Sequence, residues 1–287
     1  MVSVDQEGLR SRYRDKVAIV TGAGSGIGRA IVEGLVVEGA YVVANDISFD
    51  RIESLASERV SVIAADVSEP SAAGRLTAQA LKMRGGRIDA LFNNAGIGSA
   101  GPAVDIGAEE WRRVMAINID AAFQLAASVG RVMIRQGGGG AILNTASVAG
   151  TMGLPGRVPY VVSKHAVVGL TRALAVEWGV HGVRVNALCP GLTETAMSDR
   201  LRTEAPDYWA KRAAVVPLRR AGTSAEQAAA ALFLNSDEAS YISGLIAEAD
   251  GGAHALYSGY TVSRPQVDSG GVAASGMERA ITPSAGL

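Results

Sequence analysis

Short β-branched runs alternate along the chain with longer segments in which apolar residues recur at helical spacing. Val17–Thr21, Tyr41–Asn45, Val60–Ala65, Ala90–Asn93, Ala141–Thr145, Val183–Leu188 and Leu245–Ala249 read as strands, most of them apolar on both sides, as strands covered by helices on both faces are. Ile27, Ile31, Gly34 and Leu35 mark the first helix, and the tetraglycine Gly137–Gly140 stops the helix before the fifth strand. Pro159 to Trp178 predicts another helix, with proline in its first turn and apolar residues at Val162, Ala166, Val167, Leu170 and Leu174. This alternation predicts an α/β fold: a Rossmann-like, doubly wound parallel sheet of about seven strands, with helices on both faces and right-handed crossovers. No repeat or linker divides the chain, so a single domain over 16–254 is expected. A short N-terminal extension (1–15) precedes it, a substrate loop lies within it at about 194–216, and an irregular tail rich in Gly, Ser, Ala and Pro (255–287) follows it.

Composition narrows the function. The 287 residues are 48% apolar and 19% charged, as in a folded globular protein. The net charge of -1, with scattered Lys and Arg, offers no field for nucleic acid. Cys189 is the single cysteine, which excludes an intrachain disulfide and a cysteine-based metal site, and His165, His181 and His254 lack metal-ligand spacing, so no metal is expected. The polar N-terminus has no apolar signal core and no apolar run reaches membrane-spanning length. A cytoplasmic protein without a membrane partner is expected.

Three features carry chemistry. Directly after the first strand stands Thr21-Gly22-Ala-Gly24-Ser25-Gly26-Ile27-Gly28, which opens a helix. Its glycine spacing is Gly22-x-x-x-Gly26-x-Gly28, which permits a tight turn and offers the free N–H groups of a helix start to a pyrophosphate. Asp46 ends the second strand, where a carboxylate accepts bonds from ribose hydroxyls and repels a 2′-phosphate; with Ser25 in the loop and Ile47 next to Asp46, no cation stands in an obvious place for NADP, and NAD is favoured. Asp46 is equally suited to capping a turn. Finally, Ser147, Tyr160 and Lys164 are the makings of a proton-transfer device. Tyr160 and Lys164 lie one turn apart on one helix face, and an ammonium beside a phenol favours the phenolate.

With these motifs the chain resembles the short-chain dehydrogenase/reductase family, in its branch of ordinary subunit length, from about Lys16 to Gly252. The resemblance rests on the glycine loop, Asp66-Val67, Asn93-Asn94-Ala95-Gly96, Asn118, Ser147, Tyr160-x-x-x-Lys164, Pro190-Gly191 with Thr195, and Asp250-Gly251-Gly252, in family order. It implies that Asp66 binds the adenine amino group with Val67 against the ring, and that Asn93, Ala95 and Gly96 line the cofactor channel. Ser147 would bind the substrate oxygen and Tyr160 would be the general acid/base. Lys164 would bind the nicotinamide ribose and lower the Tyr160 pKa, and Asn118 would hold a relay water behind Lys164. Pro190, Gly191 and Thr195 would cradle the nicotinamide. Asn118 has an alternative as a helix-kink residue and Thr195 as a helix cap. The resemblance also implies a homotetramer built as a dimer of dimers.

The substrate pocket is expected from Ala149 to Arg157, with Met152 and Leu154, and from Glu194 to about Val216, with Met197, Leu201, Tyr208 and Trp209. Arg157 is the one charge there that would meet an anion, though a solvated loop arginine is the commoner case. Tyr208 and Trp209 are read as a lid or as anchors of their helix. Three functions fit: an NAD-dependent oxidoreductase of secondary alcohols or ketones, a 3-oxoacyl-thioester reductase using NADPH, and a dinucleotide-sensing protein without turnover. Asp46 and Ser25 favour the first over the second, and the presence of Ser147, Tyr160 and Lys164 favours it over the third.

Overall fold

The computed structural model describes residues 11–256, 260–262 and 281–283. Seven parallel strands form the central sheet: β1 (Val17–Thr21), β2 (Tyr41–Asp46), β3 (Val60–Ala64), β4 (Ala90–Asn93), β5 (Gly140–Thr145), β6 (Val183–Pro190) and, after two short strands, β9 (Ile246–Ala249). Their order is β3-β2-β1-β4-β5-β6-β9, so the chain winds outward from β1 in both directions. That reversal opens a crevice at the carboxyl ends of β1 and β4, the position such sheets use for ligands. The expected strands and the observed ones agree to within a residue or two at their ends.

Alternation along the strands sends successive side chains to opposite faces. Ala18 and Val20 pack under Ile31, Val32 and Leu35 of α1 (Gly26–Val37), while Val17 and Ile19 pack on the far face. Between β2 and β3 lies one short helix, α2 (Phe49–Ile52), and α3 (Ala72–Leu81) precedes β4. A continuous helical rod follows, made of α4 (Ala108–Met115), a π-turn (Ala116–Asp120) and α5 (Ala121–Gln136). α6 (Val158–Trp178) joins β5 to β6. Its buried stripe only partly matches the apolar one that periodicity suggested. Ser163, Lys164 and Thr171 are buried with Val167, Val168 and Leu174, whereas Val162 is exposed. Beyond β6 come β7 (Thr193–Glu194), α7 (Ala196–Glu204), α8 (Pro206–Val215), β8 (Gly222–Thr223) and α9 (Ser224–Asn235), the last packing beside α1.

Both ends depart from expectation. The N-terminal extension enters the core before Lys16: Tyr13 is fully buried, its hydroxyl donates to the Leu232 carbonyl at 2.7 Å, and Arg12 pairs with Glu38. A charged stretch hides this aromatic anchor from periodicity. In the tail, expected to be irregular, β10 (Tyr260–Val262) and β11 (Ile281–Pro283) pair antiparallel, and most of the rest of the tail lies outside the described residues. Among the described residues no helix is long and apolar enough to cross a membrane.

Tyr13 yields a stability prediction. Tyr13→Ala removes a buried ring and should cost about 3–5 kcal/mol, while Tyr13→Phe, which loses only the hydrogen bond, should cost about 1 kcal/mol. Denaturant unfolding reads both. Equal, near-zero costs would show that the segment before β1 is not part of the cooperative core.

Candidate active site

The glycine loop is shaped by one close approach. The Gly28 Cα lies so near the Gly22 carbonyl that a Cβ would sit 2.1 Å from that oxygen, and Gly22 and Gly26 both have positive φ. This folds the first turn of α1 back on the end of β1. Ser25 precedes the helix without capping it through its side chain, and the first turn holds no acidic residue. The uncapped N–H groups and the positive end of the helix dipole therefore stay available for an anion. Ser25, Gly26 and Ile27 line a cleft of ≈ 300 Å³ that runs on to Ser147, Tyr160 and Lys164. A dinucleotide fits the chemistry of this cradle, with its pyrophosphate at the helix start.

Asn94 braces the loop. Its side-chain N–H groups donate to the carbonyls of Thr21 (3.1 Å) and Gly22 (3.3 Å), its backbone N–H donates to Thr21 Oγ1, and Thr145 Oγ1 donates to its Oδ1. Neither Asn94 nor Thr145 was singled out from sequence as a site residue, although Asn94 stands inside the quoted motif and both line the cleft.

Ser147, Tyr160 and Lys164 converge because the turn Val148–Gly150 lies against α6. A Cβ on Gly150 would meet the Lys164 carbonyl at 2.7 Å. Ser147 Oγ accepts from Ala149 N–H at 3.1 Å, which fixes the serine at the start of that turn. Lys164 Nζ donates to the Thr145 carbonyl at 2.7 Å and stands 5.7 Å from the Tyr160 ring centre. Asn118, buried in the π-turn, accepts from Ile97 N–H at 2.8 Å and donates to the Ile97 carbonyl and to Ser163 Oγ, each at 3.0 Å. Ser163 Oγ in turn donates to the Tyr160 carbonyl. Asn118 thus clasps the loop after β4 to the helix that carries the tyrosine, from within the π-turn that interrupts the α-helical rod.

The electrostatics differ from the sequence expectation. Burial raises the Tyr160 pKa, and the Ser147 hydroxyl by hydrogen bonding and the Arg157 charge work against that rise. Burial also pushes Lys164 down, from 10.5 to about 8. The ammonium is bonded to a carbonyl, and it is Ser147 and Arg157 that offset the burial of the phenol. Cys189, buried behind the site, is pushed up to about 11 by burial.

The other expected site residues divide. Gly96, Leu154, Arg157, Pro190, Gly191, Thr195 and Met197 line the cleft. Thr195 also starts α7, its N–H donating to Ser198 Oγ at 3.0 Å, so cap and cleft wall coincide. Val67, Asn93 and Ala95 line a separate small cavity with Thr21 and Ile117, and the Asn93 amide is turned inward to Ala122 O and Asn144 Oδ1. Asp66 Oδ1 accepts from Ser68 N–H and Oγ–H. Met152 is not among the lining residues. The chain is still turning there, with Met152 N–H donating to the Val148 carbonyl, and it rejoins the cleft at Leu154. Of the two aromatics, Trp209 lines the cleft and Tyr208 is exposed. Asp46 accepts from Gly24 N–H at 3.0 Å and from Ser48 N–H at 3.2 Å, so it does cap the turns beside it. The expectation of no cation nearby is corrected: an added Cβ on Gly24 would lie 2.6 Å from Arg51 Cβ and 2.7 Å from Asp46 Oδ2. Tertiary packing brings Arg212 to the cleft as well, a residue the sequence did not single out.

A cofactor cradle at the switch point of a parallel sheet, opening onto a Ser-Tyr-Lys cluster, can be set beside known proteins. A family model described as enoyl-(acyl carrier protein) reductase matches residues 22–254. A 2,5-dichloro-2,5-cyclohexadiene-1,4-diol dehydrogenase of Sphingobium indicum is 41% identical over 245 residues, covering 84% of this chain and 98% of its own. Levodione reductase of Leifsonia aquatica is 38% identical over 261 residues, covering 86% and 97%. A crystal structure of levodione reductase superposes with a TM-score of 0.79 at 36% identity, over 85% of this chain and all (100%) of the other. A putative NAD(P)-dependent gluconate 5-dehydrogenase from Beutenbergia cavernae, solved with NADP bound at low occupancy, gives 0.78 at 39% identity over 85% and 98%. The chain is an NAD(P)-dependent oxidoreductase acting on CH–OH groups. It belongs to the short-chain dehydrogenase/reductase family.

The buried ammonium gives a pH prediction. Because Lys164 falls to about 8 in the fold from 10.5, its burial destabilises the protein most below pH 8, and the penalty fades as pH rises through that value toward 10.5. Lys164→Met should therefore raise stability at pH 7, by up to about 3 kcal/mol less the lost hydrogen bond, and the advantage should shrink toward pH 10. Urea unfolding of both proteins across this range tests it; a difference that stays constant or grows with pH would refute the assignment.

Proposed function

We propose that the protein transfers hydride between NAD and a secondary alcohol or ketone, with Tyr160 as general acid/base. The observation that carries the reading is the convergence of Ser147, Tyr160 and Lys164 on the cleft that begins at the uncapped start of α1. When bound there, the dinucleotide supplies a hydride acceptor or donor. Tyr160 takes the hydroxyl proton as an alcohol is oxidised, or returns it to the forming alkoxide as a ketone is reduced. Ser147 donates to the same oxygen. Lys164 holds a positive charge beneath them and has N–H groups left for ribose hydroxyls, and Asn118 keeps α6 in register behind the tyrosine. The relatives named for a cyclic diol and for levodione support an alcohol or ketone substrate.

NAD is the preferred cofactor in this reading, supported by the buried Asp46 carboxylate against the glycine loop. A second reading, an NADPH-linked thioester reductase, is favoured by Arg51 beside Gly24 and by the description of the matching family model. We further read the chain as a cytoplasmic homotetramer, supported by exposed Phe123 on α5 and by Val158, Val162 and Val176 on α6. A mass of one subunit by light scattering at micromolar concentration would refute the assembly.

Tyr160→Phe should lower turnover by about a hundredfold or more and leave NAD binding nearly intact, since only the acid/base hydroxyl is lost. Near-normal turnover in this variant would overturn the mechanism. NAD should be used at least about tenfold more efficiently than NADP, and Asp46→Asn should narrow the gap, because the carboxylate repels a 2′-phosphate. Equal efficiencies in the unaltered enzyme would favour the second reading.

A further inference from the structure

We infer that the substrate carries an anionic oxy group, a carboxylate or a phosphate, held by Arg157 and Arg212 while its carbinol lies at Tyr160. This rests on the dehydrogenase reading of the same cleft. Among the described residues, the charged ones lining the cleft are Lys164, Arg157 and Arg212, and no carboxylate lines it. Lys164 is engaged with Thr145. Arg157 gives Nη1 to the Ser99 carbonyl at 3.2 Å and retains its other N–H donors. Neither arginine has a carboxylate partner among the described residues, whereas Arg202 on α7 pairs with Asp199, Arg220 with Glu226 and Arg113 with Glu110. Both guanidiniums on the cleft therefore keep donors for an anion.

Their placement brackets the reacting centre. Arg157 lies three residues before Tyr160, at the mouth of α6, and its charge favours ionisation of that phenol, which puts the guanidinium within electrostatic reach of the reacting oxygen. Arg212 is half-buried on α8, one turn beyond Trp209 and on the same wall. Leu154, Met197, Leu201 and Trp209 make the rest of that wall apolar, while the Arg157 side chain is exposed at its rim. Two like charges facing one apolar pocket repel each other and are relieved by an anion, and the guanidinium fork matches a carboxylate or phosphate edge. Oxidation then turns a hydroxy acid into an oxo acid: the hydride leaves the carbinol carbon for NAD, the hydroxyl proton leaves through Tyr160, and the anionic group is unchanged.

The test is a matched panel with NAD: 3-hydroxybutanoate and 4-hydroxypentanoate, their methyl esters, and phosphomonoesters of the corresponding diols. The anions should exceed the esters in kcat/KM by about tenfold or more, the loss expected when a charge-assisted bond is missing. The better of the two anion arms identifies the group. Arg157→Leu and Arg212→Leu should each raise KM for that anion by a similar factor, leaving KM for the ester and the dissociation constant of NAD unchanged; the Lys variants should recover part of the loss. Esters that serve as well as acids would overturn the inference, as would arginine variants that weaken NAD binding instead, which would assign the pair to the pyrophosphate. Calorimetric titration of the oxo acid and its ester into the NADH complex decides the anion preference without turnover. Turnover of no compound in the panel would count against the dehydrogenase reading, while a calorimetric preference for the acid would still uphold the anion site.

Discussion

The contact between the turn Val148–Gly150 and the backbone of α6 sets everything else at the site. Gly150 lies where any side chain would strike the Lys164 carbonyl, so the turn and the helix meet backbone to backbone. That contact brings Ser147, at the head of the turn, to the helix face that carries Tyr160 and Lys164. It also aims Lys164 at the end of β5, where Thr145 accepts its ammonium. A bulkier residue would separate Tyr160 from Ser147, and no adjustment of side-chain rotamers would restore them.

The site then divides its charges by depth. At the bottom is a buried ammonium without a carboxylate partner among the described residues, held by a carbonyl and costly to keep dry. At one end is the uncapped start of α1, whose partial positive charge comes from the backbone. At the outer wall stand two guanidiniums. All three attract negative charge, yet they are built from different materials: a desolvated side chain, peptide dipoles, and surface residues on loops and late helices. Asp46 is a carboxylate close to the cradle, and it is held there by its bonds to Gly24 and Ser48.

The sheet and its order were legible because strands covered on both faces leave unmistakable apolar runs, and the glycine loop because its spacing serves one geometry. Ser147, Tyr160 and Lys164 were legible as types and spacings, and the fold brings them together. What sequence did not reveal has physical reasons in each case. Tyr13 sits among charged residues, so no periodicity announces it. The buried face of α6 is polar at Ser163, Lys164 and Thr171 because their partners, among them Asn144 and Asn118, come from other elements. The π-turn at Asn118 has no signature separate from an α-helix. Arg51 approaches the glycine loop and Arg212 the cleft through tertiary packing alone, and Met152 leaves the cleft because the chain is still turning there.

Cys189 has a practical consequence. The thiol is buried, and its pKa of about 11 keeps it protonated near neutral pH, so the nucleophilic thiolate is scarce and sheltered in the folded chain. It is also the sole cysteine. A thiol reagent thus has a single target, at the back of the catalytic wall, and labelling waits on an opening of β6 beneath Ser147. The rate of that modification is a built-in clock for how often this wall breathes, and whatever seals the cleft should slow it.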